Sequence, residues 1–212
     1  MGSSMKKLMV ALRSAGELPW PISDLMGQML RYANLLSECS KKKGFVSDSS
    51  VDAIICDHIV DAIYASVHLP IVPTVDVGTG PGLPGVILAL LRPDIEHILV
   101  ESREAPCCFL QEVKRKMKLK NVTVVQSRVE QLGQNFNITE CGFDSIAVVS
   151  RAYSPFESLL SDTKGLREQE FAPLFILGGV RTEERLGESS VLFESSVAYH
   201  PLQDDKRVLK VL

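Results

Sequence analysis

The chain has 212 residues, of which 45% are hydrophobic and 23% charged, and its formal net charge at pH 7 is −3. This composition is typical of a globular protein and excludes a disordered tail, a collagen or a coiled coil. The acidic balance also argues against a protein that coats nucleic acid indiscriminately, because such binding needs many lysines and arginines. We therefore expect one domain with a single large hydrophobic core and one additional structural element attached to it.

No apolar run in the sequence approaches the roughly 18 residues of a membrane-spanning helix. The apolar stretch after Lys7 ends at Arg13 and is too short for a secretory signal. Residues 1–4 are more typical of a vector-derived leader ahead of a native Met5 than of folded structure. The five cysteines include no spacing that suits zinc, so we expect reduced thiols in a cytoplasmic protein and no metal site.

Residues 1–72 contain no convincing strand and predict an N-terminal helical extension. Ser23 is a candidate N-cap for a first helix with one apolar face. A second helix is predicted over residues 51–69, where every fourth residue is apolar, and Pro70 and Pro73 mark a break after it. The residues that define the two apolar faces are Leu25, Met29, Tyr32 and Leu36 in the first helix, and Val51, Ile55, Ile59, Ile63 and Val67 in the second.

Residues 73–212 predict a Rossmann-like domain, because β-rich runs alternate with helical segments from Thr74 onwards. Such alternation is typical of an α/β fold, a mainly parallel sheet with helices on both faces. The strands are predicted at 74–77, 95–101, 122–126, 143–149 and 173–177, with a terminal pair at 191–199 and 207–212, and helices at 86–91 and 104–117.

A glycine cluster directly follows the first predicted strand and opens a helix: Asp76-Val77-Gly78-Thr79-Gly80-Pro81-Gly82-Leu83-Pro84-Gly85. Such a turn lets the backbone approach a ligand where side chains would collide. Glu101 lies 19 residues after Gly82, at the end of the next strand, where an acid accepts the hydroxyls of a ribose. The combination predicts a nucleoside cofactor.

The spacing of the glycines favours a methyl donor over a dinucleotide. Dehydrogenases typically use GxGxxG, but Leu83 stands at the third glycine position, and the pattern here is Asp76 followed by Gly78, Gly80 and Gly82. An acid just before the turn repels a pyrophosphate but suits the cationic amino-acid end of S-adenosyl-L-methionine.

Six segments give the sequence a specific resemblance to one family, from about Tyr32 to the C-terminus. The chain resembles the glucose-inhibited division protein B family, bacterial methyltransferases that methylate N7 of a guanine in small-subunit ribosomal RNA. The resemblance implies a class I S-adenosylmethionine-dependent methyltransferase, a cytoplasmic monomer, and ribosomal RNA as partner, free or in a partly assembled subunit. The segments are Val75–Gly85, Arg92-Pro93, Phe109-Leu110, Leu119-Lys120-Asn121-Val122, Gln126-Ser127-Arg128-Val129-Glu130 and Ser150-Arg151-Ala152.

The resemblance also assigns roles to residues. Gly78 and Leu83 would line the cofactor, Glu101 would hold its ribose, Val129 and Glu130 would lie beside its adenine, and Arg151 would sit near the methyl group. Together with Asp76 and Gly80 from the turn, these residues are the predicted cofactor site, and Arg151 is the predicted catalytic residue. His58-Ile59-Val60-Asp61 matches a His-Ile-x-Asp motif of the family. Of the four histidines, only His58 is a candidate for substrate contact, and a role in helix packing or capping is an equal alternative. The basic candidates for RNA contact are Lys114, Arg115, Lys116, Lys118, Arg128, Arg151, Lys206 and Arg207, of which Arg128, Lys206 and Arg207 are the predicted substrate-binding residues.

The sequence departs from the family pattern at four places. Glu38-Cys39-Ser40 stands where the family has a Trp-Asn pair, Pro106-Cys107 replaces a Lys-Arg pair, and Glu101 replaces an aspartate. Gly178 replaces the lysine of a Leu-Lys-Gly motif, and Lys206-Arg207 matches a basic spot in the family. These departures leave open a methyltransferase of the same fold with another RNA or small-molecule substrate, or a non-catalytic member that binds cofactor or RNA.

Overall fold

The N-terminal part of the protein is helical up to the first strand. The computed structural model describes residues 2–135, 143–153, 156–168, 173–179, 193–199 and 206–211. The helices of this part are α1 (Ser3–Ser14), α2 (Ile22–Lys43), α3 (Val51–Ala53) and α4 (Val60–Ser66), and a π-helical segment, Ile54–Ile59, joins α3 to α4.

Within the described residues, seven strands form one sheet. They are β1 (Thr74–Val77), β2 (His97–Glu101), β3 (Val122–Gln126), β4 (Ala147–Arg151), β5 (Leu174–Gly179), β6 (Phe193–Ala198) and β7 (Lys206–Val211). Their order is β3-β2-β1-β4-β5-β7-β6. Strands β1 to β5 are parallel to one another, whereas β7 runs antiparallel to both β5 and β6. The chain therefore changes direction across the sheet between β1 and β4, the place where open α/β sheets bind ligands.

Short helices connect the parallel strands. They are α5 (Gly85–Leu91), α6 (Glu104–Met117), α7 (Val129–Asn135), α8 (Phe156–Asp162) and α9 (Lys164–Arg167). Asn121 fixes the end of α5, because its amide donates to the carbonyls of Ala89, Arg92 and Ile95. Arg92 in turn donates to the carbonyls of Ser66, Leu69 and Pro70, and so ties α5 to the end of α4.

The two faces of the sheet are buried under different helices. Alternate strand residues such as Leu99 and Val149 belong to one core cluster with α1, α2, α4, α5 and α6. Val75 and Val148 face the other way and pack with residues of α7, α8 and α9. This alternation confirms the predicted fold class, a mainly parallel sheet with helices on both faces and a helical N-terminal region. The division into an extension over 1–72 and a domain over 73–212 stays a prediction.

The structure corrects several predicted elements at the N-terminus. Helix α1 was not predicted at all, and it includes Ser3 and Ser4, although residues 1–4 were expected to lack structure. The Ser4 hydroxyl is buried and donates to Asp52. Helix α2 begins at Ile22, so Ser23 lies inside the first turn and is not its N-cap.

The predicted second helix is confirmed over most of its length, but it ends at Ser66, and Val67 is 47% exposed. The apolar residues of this helix repeat every four residues, which is longer than an α-helical turn of about 3.6 residues. The π turn at Ile54–Ile59 contains more residues per turn than an α-helix and so keeps the apolar residues on one face. Ile55, Ile59 and Ile63 are all buried.

The later elements agree more closely with prediction. The boundaries of β1, β3 and α6 are as predicted, and β6 and β7 form the expected terminal pair. Strand β4 was predicted at 143–149 but extends from Ala147 to Arg151, so Arg151 ends the strand. Helices α7, α8 and α9 were not predicted. Among the described residues, no helix is long and apolar enough to cross a membrane.

Candidate functional site

The carboxyl ends of four parallel strands bring the predicted cofactor residues to one edge of the sheet. Strand β1 leads into the glycine turn at Gly78, β2 ends at Glu101, β3 ends shortly before Val129 and β4 ends at Arg151. The register pairs Asp76 with Val149, which places Arg151 beside the start of the glycine turn. We call this side of the sheet the cofactor edge.

Asp76 is the central buried charge of the glycine turn, with no exposed surface. Its Oδ2 accepts the hydroxyl of Thr79 at 2.7 Å and the backbone N–H of Gly85 at 2.8 Å. Its Oδ1 is buried and, among the described residues, has no hydrogen-bond partner. Burial raises the pKa of Asp76 to about 6, although these hydrogen bonds oppose the shift. The turn therefore holds a buried carboxylate oxygen whose hydrogen-bonding capacity no described residue uses.

The glycines of the turn differ in what surrounds them. Gly80 has φ +56°, and a Cβ added there would meet nothing within 4 Å. A Cβ on Gly82 would lie 2.5 Å from Val86 and 2.7 Å from Leu110, so Gly82 is needed for packing. A Cβ on Gly78 would lie 2.8 Å from the ring of Tyr153. The open space at Gly80 is what a ligand-facing glycine requires.

Glu101 is buried at the end of β2 and is fully engaged within the protein. Its Oε2 accepts the backbone N–H of Gly80 at 3.1 Å, and Oε1 accepts the backbone N–H of Arg103 at 2.9 Å. The guanidinium of Arg103 donates to both oxygens, at 3.1 and 3.2 Å. Burial alone would raise the pKa of Glu101, but Arg103 and the Gly80 N–H outweigh it and hold that pKa below its ordinary value. Glu101 is therefore ionised and bonded to the glycine turn.

A small cleft of about 100 Å³ opens beside these residues. Val129 is buried in its wall and Glu130 is partly exposed. Arg128 is 72% exposed and lies 3.8 Å from Glu130. The ring of Tyr153 forms another wall, and its hydroxyl donates to Asp162 at 2.8 Å. The residues that line the cleft are Gly78, Val100, Glu101, Ser102, Ser127, Arg128, Val129, Glu130, Tyr153 and Asp162.

Arg151 contacts the N-terminal helical region. Its Nη1 donates to Asp61 Oδ2 at 2.9 Å, and its Nη2 lies 2.9 Å from His58 Nδ1. A guanidinium has only donors, so Nδ1 of His58 is the acceptor and the imidazole is neutral. Burial and the charge of Arg151 both lower the pKa of His58, which agrees with this state. The second oxygen of Asp61 accepts the hydroxyl of Tyr199 at 2.8 Å.

The structure corrects part of the predicted basic surface. Helix α6 runs back from the cofactor edge and ends just before β3 begins, so its C-terminal lysines and arginine lie at the opposite edge. Four candidates are therefore removed from the site: Lys114, Arg115, Lys116 and Lys118. Arg128 remains at the cofactor edge. The pairing of β5 with β7 places Arg207 opposite Gly178 and Lys206 opposite Gly179.

Two further expectations are corrected or extended. Leu83 is 5% exposed within the core cluster, and the structure does not place its side chain among the residues that line the cleft. Cys107 and Cys108 are both free thiols, as expected, and Cys107 is buried whereas Cys108 is exposed. Cys39 and Cys56 are free thiols too, and Cys141 lies outside the described residues.

Sequence reasoning missed four residues of this edge: Asp61, Arg103, Tyr153 and Tyr199. Asp61 belongs to the His-Ile-x-Asp motif, Arg103 lies two residues after Glu101, and Tyr153 lies two residues after Arg151. The sequence positions of these three residues were therefore available signals. Tyr199 had none, because its contact with Asp61 spans 138 residues.

Comparison with known proteins decides the family. A family model described as rRNA small subunit methyltransferase G matches residues 25–201. The chain belongs to this family. The ribosomal RNA small subunit methyltransferase G of Yersinia enterocolitica is 34% identical over 212 residues, 98% of each chain. That of Sodalis glossinidius is 36% identical over 159 residues, 75% of this chain and 74% of that protein.

Membership of the family confirms the predicted resemblance and the class of enzyme, an S-adenosylmethionine-dependent methyltransferase that acts on ribosomal RNA. The fold agrees with that of a solved methyltransferase of another type. The precorrin-6y C5,15-methyltransferase of Geobacter metallireducens superposes with a TM-score of 0.50 at 13% identity, and the match covers 72% of this chain and 87% of that chain.

Proposed function

We propose that this protein transfers a methyl group from S-adenosyl-L-methionine to N7 of a guanine in small-subunit ribosomal RNA, and that it acts as a monomer in the cytoplasm. One observation carries the proposed site. Asp76 has a buried Oδ1 without a hydrogen-bond partner among the described residues, and it ends the strand that leads into the glycine turn, on the same edge of the sheet as Glu101 and Arg151.

The residues of the cofactor edge fit this cofactor. Asp76 Oδ1 would pair with the ammonium of the amino-acid end, because a buried carboxylate oxygen is stabilised by a cation. Glu101 would hold the ribose hydroxyls, and Val129 and Glu130 would lie beside the adenine. The bound cofactor supplies the methyl group on a positively charged sulfur. Leu83 would contribute through its backbone, since its side chain is in the core.

Binding requires a local rearrangement of side chains. The cleft of about 100 Å³ is smaller than the roughly 300 Å³ or more of ordinary small-molecule sites. The ring of Tyr153 lies against Gly78 in the wall of the cleft, and Arg103 occupies both oxygens of Glu101, another residue of that wall. Arg103 is 69% exposed and can swing into solvent at low cost, which would release Glu101 for the ribose.

The reaction demands positioning more than proton transfer. N7 of guanine carries a lone pair and no proton, so attack on the methyl group needs alignment and exclusion of water but no general base. Arg151 would act beside the methyl group, where a guanidinium can donate to O6, the acceptor next to N7. Methyl transfer moves the positive charge from the sulfur of the cofactor to the methylated base. Asp76 and Glu101 would keep the cofactor edge negatively charged before and after the transfer.

The RNA would approach the cofactor edge through Arg128, Lys206 and Arg207. The lysine that the family has at position 178 is replaced by glycine, but β7 places Arg207 directly opposite that position. The backbone register thus pairs a basic residue of the neighbouring strand with the position of the missing lysine. This supports RNA as the substrate in preference to a small molecule.

Labelled S-adenosylmethionine tests the proposal directly. The protein is incubated with naked small-subunit RNA and with purified small subunits, and the modified base is mapped by chain cleavage at 7-methylguanine. Label at one guanine N7 in either substrate supports the proposal, and the comparison shows which substrate is used. Label on another atom, on a small molecule only, or on nothing would contradict it.

A further inference from the structure

The two terminal nitrogens of Arg151 are both bound by one helical turn of the N-terminal region. Nη1 donates to Asp61 and Nη2 to His58, each at 2.9 Å. The side chain of Arg151 is 15% exposed and that of Asp61 3%, so the ion pair is largely shielded from water. Because a guanidinium is a planar fork, two bonds in different directions fix its orientation as well as its position.

Asp61 is itself held from the other side. Its Oδ1 accepts the hydroxyl of Tyr199 at 2.8 Å and lies 3.7 Å from the ammonium of Lys206. Each oxygen of this carboxylate therefore has its own partner, one from β4 and the other from the C-terminal strands. The carboxylate cannot turn away without breaking bonds to both, which makes it a fixed support for Arg151.

Two unusual backbone features lie next to the residues that form the contact between Arg151 and Asp61. The helix is π-wound at Ile54–Ile59, directly before Asp61, and single π turns occur frequently at functional sites. Ala152, which follows Arg151, has φ +56°, a left-handed conformation that costs free energy for a residue with a Cβ. A buried ion pair is weak evidence for stability on its own, so these features favour a functional reason for the pair.

We propose that Asp61 is a positioning residue for methyl transfer, which fixes the guanidinium of Arg151 at the cofactor edge while Tyr199 fixes Asp61. The inference rests on the proposed role of Arg151. Two of the five N–H groups of the guanidinium are used by Asp61 and His58, so three N–H groups remain for other acceptors. Asp61 also balances a positive charge that would otherwise oppose a cationic methyl donor.

The test is a double-mutant cycle measured as kcat at saturating cofactor and RNA. Asp61→Asn keeps the size of the side chain and removes its charge, and we expect kcat to fall about tenfold. In the Arg151→Ala background the same change should alter kcat less than twofold, since the residue it positions is gone. Asp57→Asn, an exposed carboxylate on the same helix, is the matched control and should leave kcat unchanged.

The outcomes separate this inference from the proposed function. If Asp61→Asn lowers kcat by the same factor with and without Arg151, Asp61 acts independently and the inference is wrong. If it lowers only the melting temperature, the role of Asp61 is structural and the inference is again wrong. Turnover of Arg151→Ala at the wild-type rate would instead refute the role of Arg151. Should Asp61→Asn not fold, Asp61→Glu retains the charge but displaces it, and the same cycle applies.

Discussion

The two halves of the cofactor edge are built in different ways. The hydrogen bonds of Asp76 join residues close in sequence: Thr79 and Gly85 lie three and nine residues away. The partners of Arg151, Asp61 and His58, lie 90 and 93 residues away. The bonds of Asp76 therefore form within a local turn, whereas those of Arg151 exist only because the N-terminal helices pack against the sheet.

The halves also differ in what they leave available to a ligand. The Asp76 side has a buried oxygen without a partner among the described residues and a glycine that faces open space. The Arg151 side has its carboxylate and two of its guanidinium N–H groups already bonded. We infer that the first half binds the cofactor and that the second is pre-organised for the reacting atoms. Four predictions test this division.

The largest effect is expected for Gly80→Val. The added side chain would occupy the space assigned to the cofactor, so binding of S-adenosylhomocysteine should be lost in calorimetry. Gly44→Val is the matched control, because Gly44 has φ +64° and also nothing within 4 Å but lies at the end of α2. Both variants should lose similar stability, about 1 kcal/mol or more from the left-handed backbone. Equal cofactor affinity in the two would show that Gly80 does not face the ligand.

Arg151→Ala should lower turnover about 100-fold at saturating RNA, as expected when a donor aimed at the reacting groups is removed. Arg115→Ala, at the opposite edge, is the control and should retain the wild-type rate. Steady-state kinetics with varied RNA separates kcat from KM. A change confined to the KM for RNA would mean that Arg151 contributes only to binding.

The pH dependence of cofactor affinity should report on Asp76. Burial raises its pKa to about 6, and the cationic end of the cofactor binds the ionised form, so a proton is released on binding. Affinity should therefore rise about tenfold between pH 5 and pH 7. Asp76→Asn should bind more weakly at pH 7 and lose this dependence. Calorimetry in buffers of different ionisation enthalpy would detect the proton, and a flat wild-type profile would contradict the assignment.

The smallest effect concerns RNA binding. Arg128→Ala should weaken RNA binding a few-fold and reduce the slope of log affinity against log salt by about one, as expected for one lost phosphate contact. Lys114→Ala, on the edge away from the cofactor, should leave both unchanged. Filter binding at four salt concentrations measures the slope. An equal effect of the two variants would show that the RNA covers both edges of the sheet.

The sequence by itself determined the sheet, the glycine turn and the family. Strand and helix periods, the spacing of Asp76 and Glu101, and the quoted motifs depend on residues close together in the chain, and local patterns of this kind predict local structure. The same reasoning missed α1, whose buried face packs against other helices, and it misplaced the N-cap at Ser23, because α2 begins one residue earlier after Pro21. Site roles for Glu101, Val129, Glu130 and Arg151 remain proposals.

Only the tertiary structure decided which charges meet. In the structure Lys114, Arg115, Lys116 and Lys118 lie away from the site, because a helix that crosses back over a parallel sheet has its last turn at the opposite edge. The tertiary structure also brings Asp61 to Arg151 and Tyr199 to Asp61, over separations of 90 and 138 residues. Such contacts depend on how whole helices and strands pack against one another, and no local pattern of residue types encodes that packing.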